Sequence, residues 1–182
     1  RGLVRLNTGS IAGLRGSLTY ADQSADKWKG WGEQNHRQLG LNALAPLGAG
    51  ELYGFFNWSE RRENDYQDMS LEMIDRLGRD WDNNSNSWTD AVAVGDAYQN
   101  PANYPTLLDG AGCWTGAGAN PYPDPIACVD DAYFNAAGLR DDMIGALRLD
   151  YPITQSLAVS AMIYGHQNEG QGLWWTPYVA TP

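Results

Sequence analysis

A chain of 182 residues with 43% hydrophobic content is long enough for one ordinary core, so its length excludes little. A formal net charge of −10, with no phosphate-binding glycine loop, Rossmann turn or basic patch, argues against a nucleic-acid partner. No run approaches the roughly 18 consecutive apolar residues of a membrane helix, which excludes spanning by helices and leaves spanning by strands open.

The chain opens on Arg1 with nothing like the apolar run of a signal peptide, so the start reads as internal. A first strand is expected over about 1–6, followed by a turn at Asn7-Thr8-Gly9-Ser10. From Ile11 the chain alternates: Ala12, Leu14, Gly16, Leu18 and Tyr20 share one face, and Gly13, Arg15, Ser17 and Thr19 the other. Period two predicts a strand with one apolar and one polar side, over about 11–22. The pattern returns at Leu39, Leu41, Ala43 and Ala45, predicting a strand over about 33–45. After the turn Pro46-Leu47-Gly48-Ala49-Gly50, the mixed segment Leu52 to Trp58 predicts a strand over about 51–59.

A long segment over 60–139 comes next, far above ordinary loop lengths and therefore functional or disordered by default; its Trp, Tyr and Cys content argues for order. From Glu60 to Asp142 there are 16 acidic and five basic residues, whereas the remainder carries six and seven, so the acidity belongs to this loop. Within it, Leu71, Ile74 and Leu77 fall at helical spacing between Ser70 and Gly78, and Trp88 to Tyr98 predicts a second helix ended by Asn100-Pro101. Cys113 and Cys128, with 14 residues between them in a Gly/Pro-rich stretch, suit a disulfide staple, two free buried thiols being the alternative. Two more alternating runs, about 140–151 and 157–168, flank the turn Pro152-Ile153-Thr154-Gln155-Ser156. The last long link starts at Glu169, and the aromatic end Trp174-Trp175-Thr176-Pro177-Tyr178 reads as a cut.

Short turns thus alternate with long links along strands of about 10 to 12 residues, the length a tilted strand needs to cross a bilayer. The expected fold is all-β: a fragment of a transmembrane antiparallel β-barrel, with five or six strands, short periplasmic turns and long extracellular loops, the largest containing short helices. Tyr20, Trp58 and Tyr164, at the long-loop ends, are placed for an aromatic girdle.

Few residues suggest chemistry. Ser160 and His166 share a strand face but lie roughly 20 Å apart, too far for a hydrolase pair, and no catalytic set is expected. His166 is a lumen-facing ligand candidate or a solvated side chain. Asp80-Trp81-Asp82-Asn83-Asn84-Ser85-Asn86 resembles the start of a calcium loop, offering Asp80, Asp82 and Asn84 to Ca²⁺, but lacks Gly at the sixth position and Glu at the twelfth; a solvated Asx-rich turn is the alternative. The eight Trp, nearly all in or beside the long links, either stack on ligands or pack the loops together.

The run Gly138-Leu139-Arg140-Asp141-Asp142, the hairpin to Tyr164-Gly165-His166-Gln167-Asn168 and the segment Glu169 to Tyr178 resemble the barrel of TonB-dependent receptors, of the large-loop proteobacterial type. Ser17-Leu18-Thr19-Tyr20-Ala21-Asp22-Gln23, followed by Asp26-Lys27-Trp28-Lys29-Gly30, resembles an early barrel hairpin of the same group. The resemblance implies a parent barrel of about 22 strands in the cell outer membrane, closed by a plug that this sequence lacks. It further implies energy-coupled uptake of a ferric siderophore or an oligosaccharide, powered by TonB-ExbB-ExbD, with lipid and lipopolysaccharide as neighbours and no enzymatic activity. The loop 60–139 and the positions His166, Trp174, Trp175 and Tyr178 are then the ligand candidates. A secreted, disulfide-stapled carbohydrate-binding module is the rival expectation.

Overall fold

The computed structural model describes residues 1–178. The chain is mostly antiparallel β-sheet, built from β1 (Gly2–Ile11), β2 (Leu14–Asp26), β3 (Glu33–Leu47), β4 (Gly50–Asn64), β5 (Asn84–Ser85), β6 (Tyr133–Pro152) and β7 (Ala158–Trp175). The strand order is β1-β2-β3-β4-β6, with β7 beside β6 and the two-residue β5 added in parallel to the start of β6. The sheet does not close on itself. Two helices, α1 (Leu71–Leu77) and α2 (Trp88–Gln99), lie between β4 and β6. Among the described residues, no helix is long and apolar enough to cross a membrane.

By contacts the chain divides into two compact units. The first comprises Arg1–Ala25, Gln34–Arg62 and Leu139–Gln171; the second comprises Asp26–Glu33, Glu63–Gly138 and the chain from Gly172.

The first unit is a two-faced sheet. Val4 pairs with Tyr20 and Leu6 with Leu18. The intervening residues, Arg5 with Thr19 and Asn7 with Ser17, therefore share the opposite face. On that polar face Gln38 donates to Asn57 at 3.3 Å, Tyr53 to Asn42 at 3.0 Å, and Asp142 accepts from Asn168 at 2.6 Å. The other face carries Leu18, Tyr20, Leu41, Phe56 and Leu147, each more than one-third exposed. Ala146 is the sole buried hydrophobic residue of this unit among the described residues. A sheet with an uncovered apolar face and no core is what the unit presents.

Two expectations are corrected here. The first turn is not Asn7 to Ser10 but the two-residue link Ala12-Gly13, with φ of 50° and 84°, as in a hairpin turn that follows the strand twist. The glycine at position 9 instead serves a register shift between Asn7 and Ser10, where the Thr8 hydroxyl accepts from Gly16 N at 2.8 Å. Tyr164 shares the polar face with Ser160 and His166, so it is not on the same side as Tyr20 and Trp58; the pairing of β7 with β6 through Asp150 and Asp142 fixes that register.

Strands also run farther than expected at the long-link end. β2 reaches Asp26, β4 reaches Asn64 and β6 begins at Tyr133, which shortens the first link to residues 27–32 and the large loop to 65–132. A strand needs a hydrogen-bonding neighbour, not an apolar side chain, so polar residues continue the ladder beyond the alternating stretch.

Candidate functional site

The second unit holds nearly all of the buried side chains. Val94, Ala97, Tyr122, Ile126, Val129 and Ala132 form its core, with Trp81, Tyr98, Tyr104 and Leu108 packed against them. α1 starts where the Ser70 hydroxyl accepts from Met73 N at 3.1 Å and stops at Gly78. α2 starts at Ser87, whose hydroxyl accepts from Asp90 N at 3.3 Å. α1 falls between Ser70 and Gly78 and α2 begins at Trp88, as the sequence indicated, whereas the Ser87 cap was not read in advance.

Cys113 and Cys128 are joined in a disulfide, as the spacing suggested. Asp131 organises its surroundings: the buried carboxylate accepts from Ala127 N at 2.9 Å and Cys128 N at 2.8 Å, and receives both terminal nitrogens of Arg76, at 2.6 and 2.8 Å. These contacts, with that to Glu72, raise the Arg76 pKa above its ordinary value. Inside the same subloop Tyr122 donates to Gly112 O at 2.7 Å, and burial pushes its phenol up to about 12.

Within this unit the short link 27–32 is anchored to the large loop. Lys27 pairs with Asp82, both side chains fully buried, donates to Asp65 O at 2.6 Å, and lies 4.5 Å from the centre of the Tyr66 ring. Gly30 has φ of 67° and crosses Asp82 so closely that a Cβ there would sit 2.3 Å from the Asp82 Cβ. Sequence reasoning missed this pair, because two charges in polar links read as solvated.

Two of the three calcium candidates are otherwise engaged. Asp82 is held by Lys27, and the Asn84 side chain bridges Asp65 O at 3.0 Å with Ala136 O and N, both at 2.9 Å. Asp80, the third of them, has no hydrogen bond that the structure shows, and among the described residues no group of three or more His, Cys, Asp or Glu is placed to hold a metal ion.

Of the four ligand candidates, the structure gathers three in the second unit. Trp174 stacks on Tyr133 at 5.8 Å with 8° between the planes, and stays 62% exposed. Trp175 meets Trp88 edge-on at 5.4 Å, and Trp88 meets Phe134 at 5.1 Å. Tyr178 meets Tyr98 edge-on at 5.3 Å. His166 belongs to the first unit, where its Nε2 is 2.9 Å from Asp142. Ser160 is bonded to Asp150 there, so Ser160 and His166 serve different carboxylates.

The chain matches no known protein family, no curated protein and no solved structure.

Proposed function

We propose that this chain is part of an outer-membrane β-barrel receptor of the TonB-dependent kind, taking up a scarce ligand, a ferric siderophore or an oligosaccharide. The observation that carries the reading is the first unit: long strands, joined by short hairpins at one end and long links at the other, with an apolar face left open and a hydrogen-bonded polar face behind it. In water such a face costs about 25 cal/mol for each Å² exposed, whereas hydrocarbon covers it without penalty. An unclosed sheet leaves its edge strands unpaired in lipid, so the reading places further strands in a longer polypeptide, and the isolated chain is expected to lay its apolar face against the bilayer without spanning it. Energy then comes from TonB-ExbB-ExbD through a plug, and lipopolysaccharide surrounds the apolar face. The second unit is the external loop assembly, where Trp174, Trp175 and Tyr178 are positioned for ligand and His166 lines the lumen side.

The test is binding of the apolar face to lipid. The chain is refolded with phospholipid vesicles, with tryptophan emission read against lipids brominated at different depths. Quenching with vesicle flotation is the expected result. A monomeric chain that unfolds cooperatively in water without detergent would overturn the reading. The second reading, a secreted disulfide-stapled carbohydrate-binding module, is favoured by one observation, the separate core of the second unit.

A further inference from the structure

We propose that the outer side of α2, with Trp175, forms a binding cleft for a neutral saccharide. The cleft has a volume of about 470 Å³ and is lined by Thr89, Asp96, Gln99, Asn100 and Trp175, all within the second unit. Naming that saccharide as the transported ligand rests on the receptor reading; binding itself does not.

The ring is held ready. At Gly95 a Cβ would come within 2.9 Å of the Trp175 Cη2, so only glycine lets the indole lie against the helix, and Trp88 fixes it from the side. A platform immobilised before binding loses little entropy when a ligand arrives. Beside it stand polar groups of the kind that read hydroxyls: the Thr89 hydroxyl, the Asp96 carboxylate and the amides of Gln99 and Asn100. They too are braced, since Asn100 donates to the Asp96 carboxylate at 2.9 Å and Gln99 to Pro177 O at 3.0 Å. No Lys, Arg or His lines the cleft, so an anionic ligand would meet one carboxylate and no cation. An aromatic face flanked by hydroxyl, carboxylate and amides suits a sugar ring, whose C–H face is apolar and whose edge donates and accepts.

The experiment is titration of the oxidised chain in detergent with maltohexaose, cellohexaose and chitohexaose, read by tryptophan emission and calorimetry. At least one should bind saturably. Trp175→Ala should abolish binding, and Asp96→Asn should weaken it about tenfold. Because Trp175→Ala loosens packing on α2, the exposed Thr89→Val is the third variant, expected to weaken binding about threefold with an unchanged circular dichroism spectrum. No binding by any of the three sugars, equal binding by all variants, or displacement of the sugar by an anionic ferric triscatecholate would each overturn the cleft. Sugar binding does not depend on vesicle binding, so failure of the receptor reading and failure of this one are separate results.

Discussion

Two buried side chains show how much one missing partner costs. Lys27→Met leaves the Asp82 carboxylate buried without a counter-ion and should cost about 3 to 5 kcal/mol, read as a lower urea midpoint of the second unit. The double variant Lys27→Met with Asp82→Leu should recover most of that loss, because two apolar groups need no compensation. Tyr122 gives a pH dependence of defined sign. Its folded value of about 12 lies above the usual 10, so the unfolded chain releases that proton first. Stability is therefore fully present below pH 10 and falls as the pH rises toward 12. In Tyr122→Phe this alkaline component should vanish while the neutral-pH unfolding free energy drops by about 1 kcal/mol, the worth of the bond to Gly112. Neither residue could be identified from sequence: Lys27 and Asp82 lie in links of mixed polarity, and pairing across 55 positions leaves no local pattern.

At the scale of elements, local signals were readable and tertiary ones were not. Ser70 and Gly78 bound α1, and Asn100 ends α2, because a cap is chemistry within one turn. The hairpin links at 48–49 and 153–157 followed from Pro and Gly. The early start of β6 was hidden, since Asn135, Ala136, Ala137 and Gly138 have weak strand preference. Asn84 supplies there, from its side chain, the bonds that a neighbouring strand would give. The disulfide was read from spacing, whereas Asp131, which seats it, carried no signal at all. Closing a 15-residue separation restricts the unfolded chain by about 3 kcal/mol, so Cys113→Ser with Cys128→Ser should lower the urea midpoint of the second unit accordingly. The same transition should carry α2 with it, because Val94 and Ala97 share their core with Ile126 and Val129 on either side of Cys128.

For the whole chain, the decisive contrast is between neighbours on opposite faces of one strand. Leu18 pairs with Leu6 on the apolar face and Thr19 with Arg5 on the polar face. If lipid covers the former, Leu18→Arg should weaken vesicle binding by about 2 kcal/mol, and Thr19→Arg should leave vesicle flotation unchanged. Equal effects of the two changes would remove the distinction between the faces. Period two made the two-sided sheet visible in advance, but two-sidedness alone does not identify the solvent on either side.

The Lys27 contact carries one more consequence, which concerns time. Asp82 is synthesised 55 residues after Lys27. Until it arrives, the hairpin of β2 and β3 can pair its backbone but must keep an ammonium group in water. Closure of the short link is thus conditional on a later segment. A chain cut before residue 82 would carry the whole β2–β3 hairpin and still be unable to bury the Lys27 side chain against its partner.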